Sequence, residues 1–301
     1  MFSSIRLRLI GTCVLIVILA ITVVGLISYR FAREFLLDDL RVELTRIATS
    51  EAVRLGGWVD REKRVVSSMA SSASASDPTP ALTKARNAGA LDLAYIGGAD
   101  HRMIFVPSRE RPADYDPAAR LLYQAAAQST QPILTAPYIA ASSEKLVVTF
   151  ASAVHEGNNL TAVAGADVTI EDVLSSLAHI HPAPSGYVFL LDKDARIMAH
   201  PDASLMLKPG AAISPDIAPA LLQVAAAPDA MPASVRIGDD AFLLKAASVP
   251  GTDWVLVTAA KQWKALEPLN RLLLGIGAAL VLVAIAAGEW RQCRSARCLV
   301  A

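Results

Sequence analysis

The stretch Ser185–Asp202, SGYVFLLDKDARIMAHPD, has the pattern of a β-hairpin. An apolar run leads into a short polar turn and then into a second apolar run that ends at proline, which is typical of two paired antiparallel strands. The stretch Leu91–Ser108, LDLAYIGGADHRMIFVPS, repeats this order with a turn that contains Gly and Asp. The sequence therefore predicts two similar hairpins in one chain.

A second strand pair follows each hairpin. The segments Lys145–Leu174 and Asp240–Leu266 each contain an apolar strand, a polar turn, a strand rich in Val and Ala, and the start of a short helix. The repeated order predicts an internal duplication, with a first module over residues 75–180 and a second over residues 185–265. Each module is of a size that can bury its own core. The alternative is that two unrelated hairpins look alike by chance.

A long helix is predicted to precede the two modules, over residues 30–70. No proline occurs between Phe31 and Met69, and the segment is dense in helix-forming residues. Apolar residues repeat there at alternating three- and four-residue intervals, at Leu37, Leu40, Leu44 and Ile47. Because this seam does not continue past Glu51 and Arg54, we expect it to pack on a partner near its start and on its own domain further along. Gly56 and Gly57 mark the expected change of partner.

Two apolar runs flank this region. Leu9–Ser28 is an uncharged run of about twenty residues, the length that a helix rising ~1.5 Å per residue needs to cross roughly 30 Å of hydrocarbon. Leu272–Gly288 is nearly as apolar but shorter. We predict transmembrane helices over residues 9–29 and 272–288. A cleaved signal peptide is the alternative for the first run, and a buried C-terminal helix is the alternative for the second.

Arginines lie on the outer side of both apolar runs. They are Arg6 and Arg8 before the first run, and Arg291, Arg294 and Arg297 after the second. Since basic residues favour the cytoplasmic side, residues 1–8 and 289–301 are predicted to be cytoplasmic and residues 30–270 to be exported. The first module would then be distal to the membrane and the second proximal to it, with membrane lipid as one partner of the chain.

The composition excludes several classes of function. The chain carries 28 Lys and Arg against 28 Asp and Glu, so it lacks the basic excess of a nucleic-acid-binding surface. None of its three cysteines lies in the exported region, which argues against a disulfide scaffold. His179 and His181 form an H-x-H pair without further ligands at recognisable spacing. Because nucleophile-elbow, zinc-protease and phosphate-loop motifs are absent, we expect no enzyme activity, no cofactor and no metal site.

The order of long helix, two sheet modules and returning helix resembles the double Cache sensor domain of methyl-accepting chemotaxis receptors, sensor kinases and cyclic-dinucleotide enzymes. The segments SGYVFLLDKDARIMAHPD and SVPGTDWVLVTAAKQWKALEPLNRL look much like that family's second module and exit helix. The resemblance implies an α+β fold with two PAS-like antiparallel sheets. It also implies a chemoreceptor-type sensor in the bacterial inner membrane, with a periplasmic sensor domain, a small extracellular ligand and a homodimeric assembly.

The resemblance extends to a set of residues that binds amino acids in some family members. YDPAARLLY, APY and GADV keep its spacing, but a leucine replaces the family's tryptophan. The candidate ligand-binding residues are Tyr115, Arg120, Leu122, Tyr123, Tyr138 and Asp167. A free amino acid is a zwitterion, so Arg120 would bind its carboxylate while Asp167, Tyr123 and Tyr138 hold its ammonium group. Leu122 lacks the N–H donor of an indole, so we expect weaker or altered recognition, by ~1.5–3 kcal/mol.

Each of these residues has a simpler structural interpretation as well. Arg120 alone is typical of the surface of a helix in which Leu121 and Leu122 face inward. Asp167 precedes a predicted helix start near Ile170 and would serve as its N-cap. Tyr138 would be a core aromatic residue at the start of a strand.

The segment after the second apolar run, GEWRQCRSARCLVA, is too short to hold a kinase, a cyclase or a chemoreceptor signalling hairpin. We expect that the output module is missing through truncation, with a stand-alone sensor that signals through a cytoplasmic partner as the alternative. Three other functions remain open at this point. They are the input part of a sensor kinase or diguanylate cyclase, a membrane-anchored exported enzyme, and a ligand-free scaffold.

Overall fold

A computed structural model describes residues 2–109, 116–140, 143–157, 159–177, 180, 182–183, 185–218, 227, 230–278 and 281–282. Its contacts divide the chain into two units. One unit combines Met1–Val42 with Lys261–Ala301, and the other is Glu43–Ala260.

The first unit contains the N-terminal part of helix α1, which runs from Phe2 to Ala70 without a break. Within the described residues, this is one helix long and apolar enough to cross a membrane, and its apolar window is not buried. At the C-terminal end, helix α5 covers Gln262–Ala265 and residues 267–278 and 281–282 are helical. The Tyr29 hydroxyl donates a hydrogen bond of 3.4 Å to Asn270 Oδ1. Much of the predicted second span and the arginines that follow it lie outside the described residues.

The long helix predicted over residues 30–70 is confirmed, but its proposed external seam is wrong. Leu37, Leu40 and Leu44 are only 6%, 8% and 0% exposed, so the chain itself covers the face that the sequence assigned to a partner. The exposed apolar residues of this part of α1 lie on other positions, at Phe31, Phe35 and Val42. The physical reason is that an apolar seam identifies a buried face but not the surface that buries it.

The first sheet lies in the second unit and has six strands. Its order is β2-β1-β6-β5-β3, and β4 also pairs with β5. The strand bounds are β1 Leu93–Gly98, β2 Met103–Val106, β3 Ile133–Leu134, β4 Tyr138–Ile139, β5 Leu146–Glu156 and β6 Asn159–Thr169. Helix α2 (Thr79–Gly89) precedes β1, α3 (Leu121–Ala127) lies between β2 and β3, and α4 (Ile170–Leu177) follows β6.

The second sheet has five strands in the order β8-β7-β11-β10-β9. The bounds are β7 Tyr187–Asp192, β8 Ile197–Ala199, β9 Ala233–Ile237, β10 Asp240–Ser248 and β11 Trp254–Lys261. Two short 3-10 helices, Ala203–Leu205 and Gly210–Ala212, follow β8. In both sheets the first hairpin pairs with the last strand, which pairs in turn with the strand before it. The predicted fold class, a long helix followed by two antiparallel sheets, is confirmed.

One hydrophobic core joins α1 to both sheets. It contains Ala48, Ala52, Leu55 and Val59 of α1 together with Val148 and Phe150 of the first sheet and Leu190 and Leu256 of the second. The second sheet also has its own cluster on the other face, around Phe189, Val235 and Phe242. The two modules are therefore connected by a shared apolar interior and not only by the chain.

Gly56 of α1 is where the helix comes closest to the β10–β11 turn. A Cβ atom at this position would lie 2.9 Å from Cδ of Pro250 and 3.0 Å from its carbonyl oxygen. About two turns further along α1, Lys63 Nζ donates a 2.8 Å hydrogen bond to the carbonyl oxygen of Gly251. Glycine at position 56 thus permits a close helix–turn contact, whereas a Cβ at Gly57 would meet nothing within 4 Å.

The Gly56→Ala substitution should lower the free energy of unfolding by roughly 1–3 kcal/mol, because the added methyl group overpacks the contact with Pro250. Gly57→Ala is the matched control and should be neutral or stabilising by about 0.5–1 kcal/mol, since alanine is the better helix former. Chemical denaturation of the purified chain in detergent measures both. Equal stability of the two variants would contradict the close approach.

Candidate ligand-binding site

Strand β6 presents different chemistry on its two faces, because successive side chains of a strand point to opposite sides. Ala164, Ala166 and Val168 pack into the core with α1. Val163 lies on the other face, in a cluster with Tyr123 of α3. By the same alternation, Gly165 and Asp167 share this second face. The side of the first sheet that faces α3 therefore carries a carboxylate near the C-terminal end of β6.

A chain of hydrogen bonds crosses this face from strand to strand. The Tyr138 hydroxyl of β4 lies 2.7 Å from Thr149 Oγ1 of β5. Thr149 Oγ1 donates to Asp167 Oδ1 of β6 at 2.7 Å, and Tyr95 of β1 donates its hydroxyl hydrogen to the same oxygen at 3.1 Å. The register explains these contacts, since Thr149 lies opposite Asp167, and Tyr95 lies opposite Gly165, two residues before Asp167 on the same face. Asp167 is thus positioned by hydrogen bonds from two other strands, β1 and β5, and Tyr138 of β4 adds a hydrogen bond to Thr149.

The ring of Tyr95 reaches this arrangement because its cross-strand neighbour is glycine. Tyr95 pairs with Gly165, and a Cβ atom at Gly165 would overlap the tyrosine ring. No other residue type at position 165 would leave the ring in this place, so Gly165 is needed for the Tyr95–Asp167 hydrogen bond.

Burial raises the pKa of Asp167 from its ordinary value of 3.8 to about 6. The hydrogen bonds from Thr149 and Tyr95 favour the ionised form and oppose this shift, as does the positive charge of Arg109. The negative charge of Asp92 acts in the same direction as burial. Asp167 is therefore a buried carboxyl group that ionises near neutral pH, and a nearby cation would stabilise its charged form.

A small cavity lies next to the hydrogen-bonded residues Tyr95 and Asp167, between α3 and the sheet. Its volume is about 10 Å³, which is space for roughly one water molecule. Its walls are formed by Tyr95, Gly97, Met103, Pro117, Arg120, Leu122, Tyr123 and Val163. Tyr95 thus belongs both to the cavity wall and to the hydrogen-bond chain of Asp167, so the cationic and the anionic side chain flank a common aromatic residue.

The predicted site residues fall into two groups in the structure. Arg120, Leu122 and Tyr123 line the cavity, whereas Tyr138 and Asp167 belong to the hydrogen-bond chain. Tyr115 lies outside the described residues. Leu122 also packs, partly buried, against the cluster around Tyr123 and Val163. The structure therefore brings these five residues to one face of the first sheet.

The simpler interpretation of Asp167 as a helix N-cap is wrong. Arg120 has extended backbone angles and stands immediately before α3, as the residue that flanks its N-terminus. The helix that begins at Ile170 is capped by Thr169, whose Oγ1 accepts a hydrogen bond from the N–H of Asp172 and donates one to its carboxylate. Asp167 lies two residues too early to take this role and is only 4% exposed.

Sequence reasoning missed several residues of this site. Tyr95 and Thr149 became visible only through strand register. Arg109 follows β2 and lies 3.7 Å from Asp92, and none of the described residues accepts a hydrogen bond from its buried Nε atom. Asp92 immediately precedes β1, and its N–H donates to the carbonyl oxygen of Asp167. Within the described parts of the chain, no group of three or more His, Cys, Asp or Glu side chains is placed to hold a metal ion.

The sequence profile of the Cache domain (dCache_1) matches residues 23–269. The chain belongs to the Cache domain family. The methyl-accepting chemotaxis protein PscA of Pseudomonas syringae pv. tomato is 35% identical over 199 residues, which cover 64% of this chain and 32% of PscA. PctB of Pseudomonas aeruginosa, also a methyl-accepting chemotaxis protein, is 28% identical over 198 residues, covering 64% of this chain and 32% of PctB. This Cache protein thus aligns with about a third of the length of these curated relatives.

Solved structures of ligand-binding domains share its fold. The domain of the Pseudomonas fluorescens chemoreceptor CtaA in complex with L-isoleucine has a TM-score of 0.66 at 21% identity, and the match covers 78% of this chain and 98% of that one. The domain of the Pseudomonas aeruginosa amino acid chemoreceptor PctB in complex with L-Arg has a TM-score of 0.63 at 24% identity, covering 76% and 97% of the two chains. At these identities the likeness shows the fold of this Cache protein.

The Asp167→Asn substitution should make stability less dependent on pH between about 4 and 6. Because the folded pKa of about 6 lies above the ordinary value of 3.8, the folded protein retains a proton that the unfolded chain releases in this range. Stability therefore falls as the pH rises through this window, by on the order of 3 kcal/mol for a shift of about two pKa units. Asparagine cannot ionise and removes this dependence.

Unfolding midpoints of the full chain at several pH values between about 4 and 7 measure this effect. Asp253→Asn is the control, because the Asp253 side chain is 75% exposed and should leave the pH profile unchanged. A profile in Asp167→Asn that keeps the original slope would show that Asp167 is not the group responsible.

Proposed function

We propose that this chain is the input part of a membrane-anchored, chemoreceptor-type sensor, whose first module binds a free amino acid or a related small carboxylate. The observation that carries this proposal is that Tyr95 joins the two charged residues: its hydroxyl donates to the buried carboxylate of Asp167, and it lines a cavity together with Arg120. The likeness to domains solved with L-isoleucine and L-Arg supports the same ligand class.

The two charges suit the two ends of a free amino acid. Its carboxylate would receive the planar donors of Arg120, and its ammonium group would lie at Asp167, where it would lower the pKa of that carboxyl group and favour the ionised form. Leu122 supplies an apolar wall but no N–H donor. Recognition of the ligand carboxylate therefore depends more strongly on Arg120 than it would if a tryptophan at position 122 supplied an indole N–H donor.

Ligand binding has to change the conformation of this site. A cavity of about 10 Å³ is far smaller than the roughly 300–1,000 Å³ of typical ligand pockets, so entry requires α3 to move outward from the sheet. A ligand that is accommodated only by the wider arrangement shifts the population toward it. Val168, the neighbour of Asp167 on β6, packs in the core with α1, so a displacement of β6 would reach the helix that leads to the N-terminal apolar run.

We propose two membrane spans and a periplasmic sensor domain in the bacterial inner membrane. The N-terminal apolar part of α1 and the helical residues 267–278 that lead into the second apolar run support this topology. Signals would pass to an output module or to a cytoplasmic partner.

Titration of the full chain in lipid nanodiscs with the proteinogenic L-amino acids tests the ligand. At least one should bind, and Arg120→Ala and Asp167→Ala should each weaken it at least tenfold, since each loses a charged hydrogen bond worth ~1.5–3 kcal/mol. Binding should also weaken as the pH falls below about 6, the pKa of Asp167.

Arg102→Ala is the matched control for this titration, because Arg102 is a guanidinium at the exposed β1–β2 turn and its side chain is 85% exposed. Its affinity should equal that of the unaltered chain. If the folded protein binds none of the amino acids tested, the proposed amino-acid ligand is rejected and a ligand-free scaffold is favoured. Turnover of any compound would favour an exported enzyme.

We further propose that two copies of the chain pair along the exposed apolar residues of α1. Phe31, Phe35 and Val42 are separated by four and seven residues, so they lie along one side of a helix. They are 71%, 73% and 68% exposed, whereas the seam of Leu37 and Leu40 is covered by the chain itself. A second copy would remove these side chains from water.

Disulfide crosslinking distinguishes the two sides of α1. In a background without the native cysteines, Phe35→Cys should give a crosslinked dimer in membranes under mild oxidation, because this position would face its own copy. Leu40→Cys, on the buried side, is the control and should give far less. Crosslinking at Leu40 without crosslinking at Phe35 would reverse the assignment of the faces.

A further inference from the structure

A second, larger pocket lies on the other side of the first sheet from the candidate amino-acid site. It has a volume of about 320 Å³, within the ~300–1,000 Å³ range of small-molecule sites. Its walls come from α1, from the C-terminal end of α2 at Gly89 and Ala90, from β6, and from α4. Val168 of β6 lines this pocket, whereas its neighbour Asp167 belongs to the opposite face. The two spaces are therefore separate.

The pocket changes from apolar to cationic between its floor and its rim. Leu55, Val168 and Val173 line it and are nearly fully buried, at 2%, 4% and 3% exposure. Arg54 and Arg61 also line it, but their side chains are 46% and 58% exposed. A ligand with an apolar body and a negatively charged end would match this gradient, because it would bury the body on the floor and leave the charge at the arginines.

Trp58 provides a flat wall between the two arginines. It lies four residues after Arg54 and three before Arg61, so the three side chains share one side of α1. Its ring is held by an edge-to-face contact with Phe150, with 5.5 Å between the ring centroids. An indole fixed in this way offers a large apolar surface to a ring or a branched chain without further ordering.

The acidic groups near the pocket are Glu51, Asp172 and Glu62. Glu51 Oε2 accepts a 2.5 Å hydrogen bond from Arg54 Nε, so an anion bound here would share this guanidinium with Glu51. The Asp172 carboxylate accepts a hydrogen bond from the Thr169 hydroxyl at the start of α4. Glu62 is 1% exposed, and burial raises its pKa although Arg61 lies beside it. Glu62 Oε2 has no hydrogen-bond partner among the described residues, and it lies at Gly89, which lines the pocket.

We propose that this pocket is a second small-molecule site, which binds an organic carboxylate with an aromatic or branched apolar body between α1 and the first sheet. The carboxylate lies at Arg54 and Arg61, and the body packs on Trp58 above Leu55, Val168 and Val173. Because the ligand touches α1 directly, this site acts on the same helix as the amino-acid site but does not require it.

Calorimetric titration of the full chain in nanodiscs with benzoate tests the proposal, with benzamide as the uncharged analogue. Benzoate should bind, and benzamide should bind at least tenfold more weakly because it lacks the charge that the arginines recognise. The double substitution Arg54→Ala and Arg61→Ala should weaken benzoate binding at least tenfold. Arg64→Ala is the matched control, since it removes an exposed arginine of α1 that does not line the pocket, and it should leave benzoate binding unchanged.

Two further variants keep the test decisive. Arg120→Ala should retain benzoate binding, and loss of binding there would place benzoate in the amino-acid site and overturn the proposal. Val173→Trp fills the pocket floor and should abolish benzoate binding while the affinity for the amino acid persists. Equal affinities for benzoate and benzamide, or unchanged benzoate binding in the Arg54/Arg61 double variant, would also overturn it. Unfolding midpoints of every variant show that each one is folded.

Discussion

Everything else in the second unit depends on the burial of one side of α1 against both sheets. Leu44, Ala48, Ala52, Leu55, Val59 and Val66 of this helix are at most 2% exposed. Small residues among them let the helix approach closely, and at Gly56 the approach to Pro250 leaves no space for a side chain. A helix that shares one core with two modules cannot shift against one of them without disturbing the other, because protein interiors are close-packed. This constraint makes α1 the natural element to carry a conformational change.

The first sheet uses its two faces for different purposes. Alanines and valines on one face of β6 maintain the contact with α1, while the other face holds the buried Asp167. Burying a carboxylate is costly unless its charge is compensated. Here Thr149 and Tyr95 compensate it only in part, since the pKa still rises to about 6. Because the charge of Asp167 is only partly compensated, a cationic ligand beside it would stabilise its ionised form. Both proposed sites therefore lie against the same strand, one on each face.

The sequence predicted more of the fold than of the site. Alternation of apolar residues identified both hairpins, and the absence of proline identified the long helix. The resemblance to amino-acid-binding members of the family indicated a set that includes Arg120, Tyr123, Tyr138 and Asp167, and the structure places these four residues on one face. The sequence did not identify Tyr95 and Thr149 as site residues, because their contact with Asp167 depends on cross-strand register. This register is set by pairing partners distant in the sequence. The face of Leu37 and Leu40 was recognised as buried but assigned to the wrong surface, since periodicity does not identify the partner.

Local patterns were sufficient for the order of the elements, the two apolar runs and the alternation of side chains along each strand, because these properties follow from the geometry of a single helix or strand. Only the tertiary structure decided that Gly165 makes room for Tyr95, that Asp167 is bonded across the sheet while Thr169 caps α4, and that a pocket remains between α1, α2 and β6. Each of these depends on the distance between segments far apart in the chain. Such distances are set by the packing of all elements together.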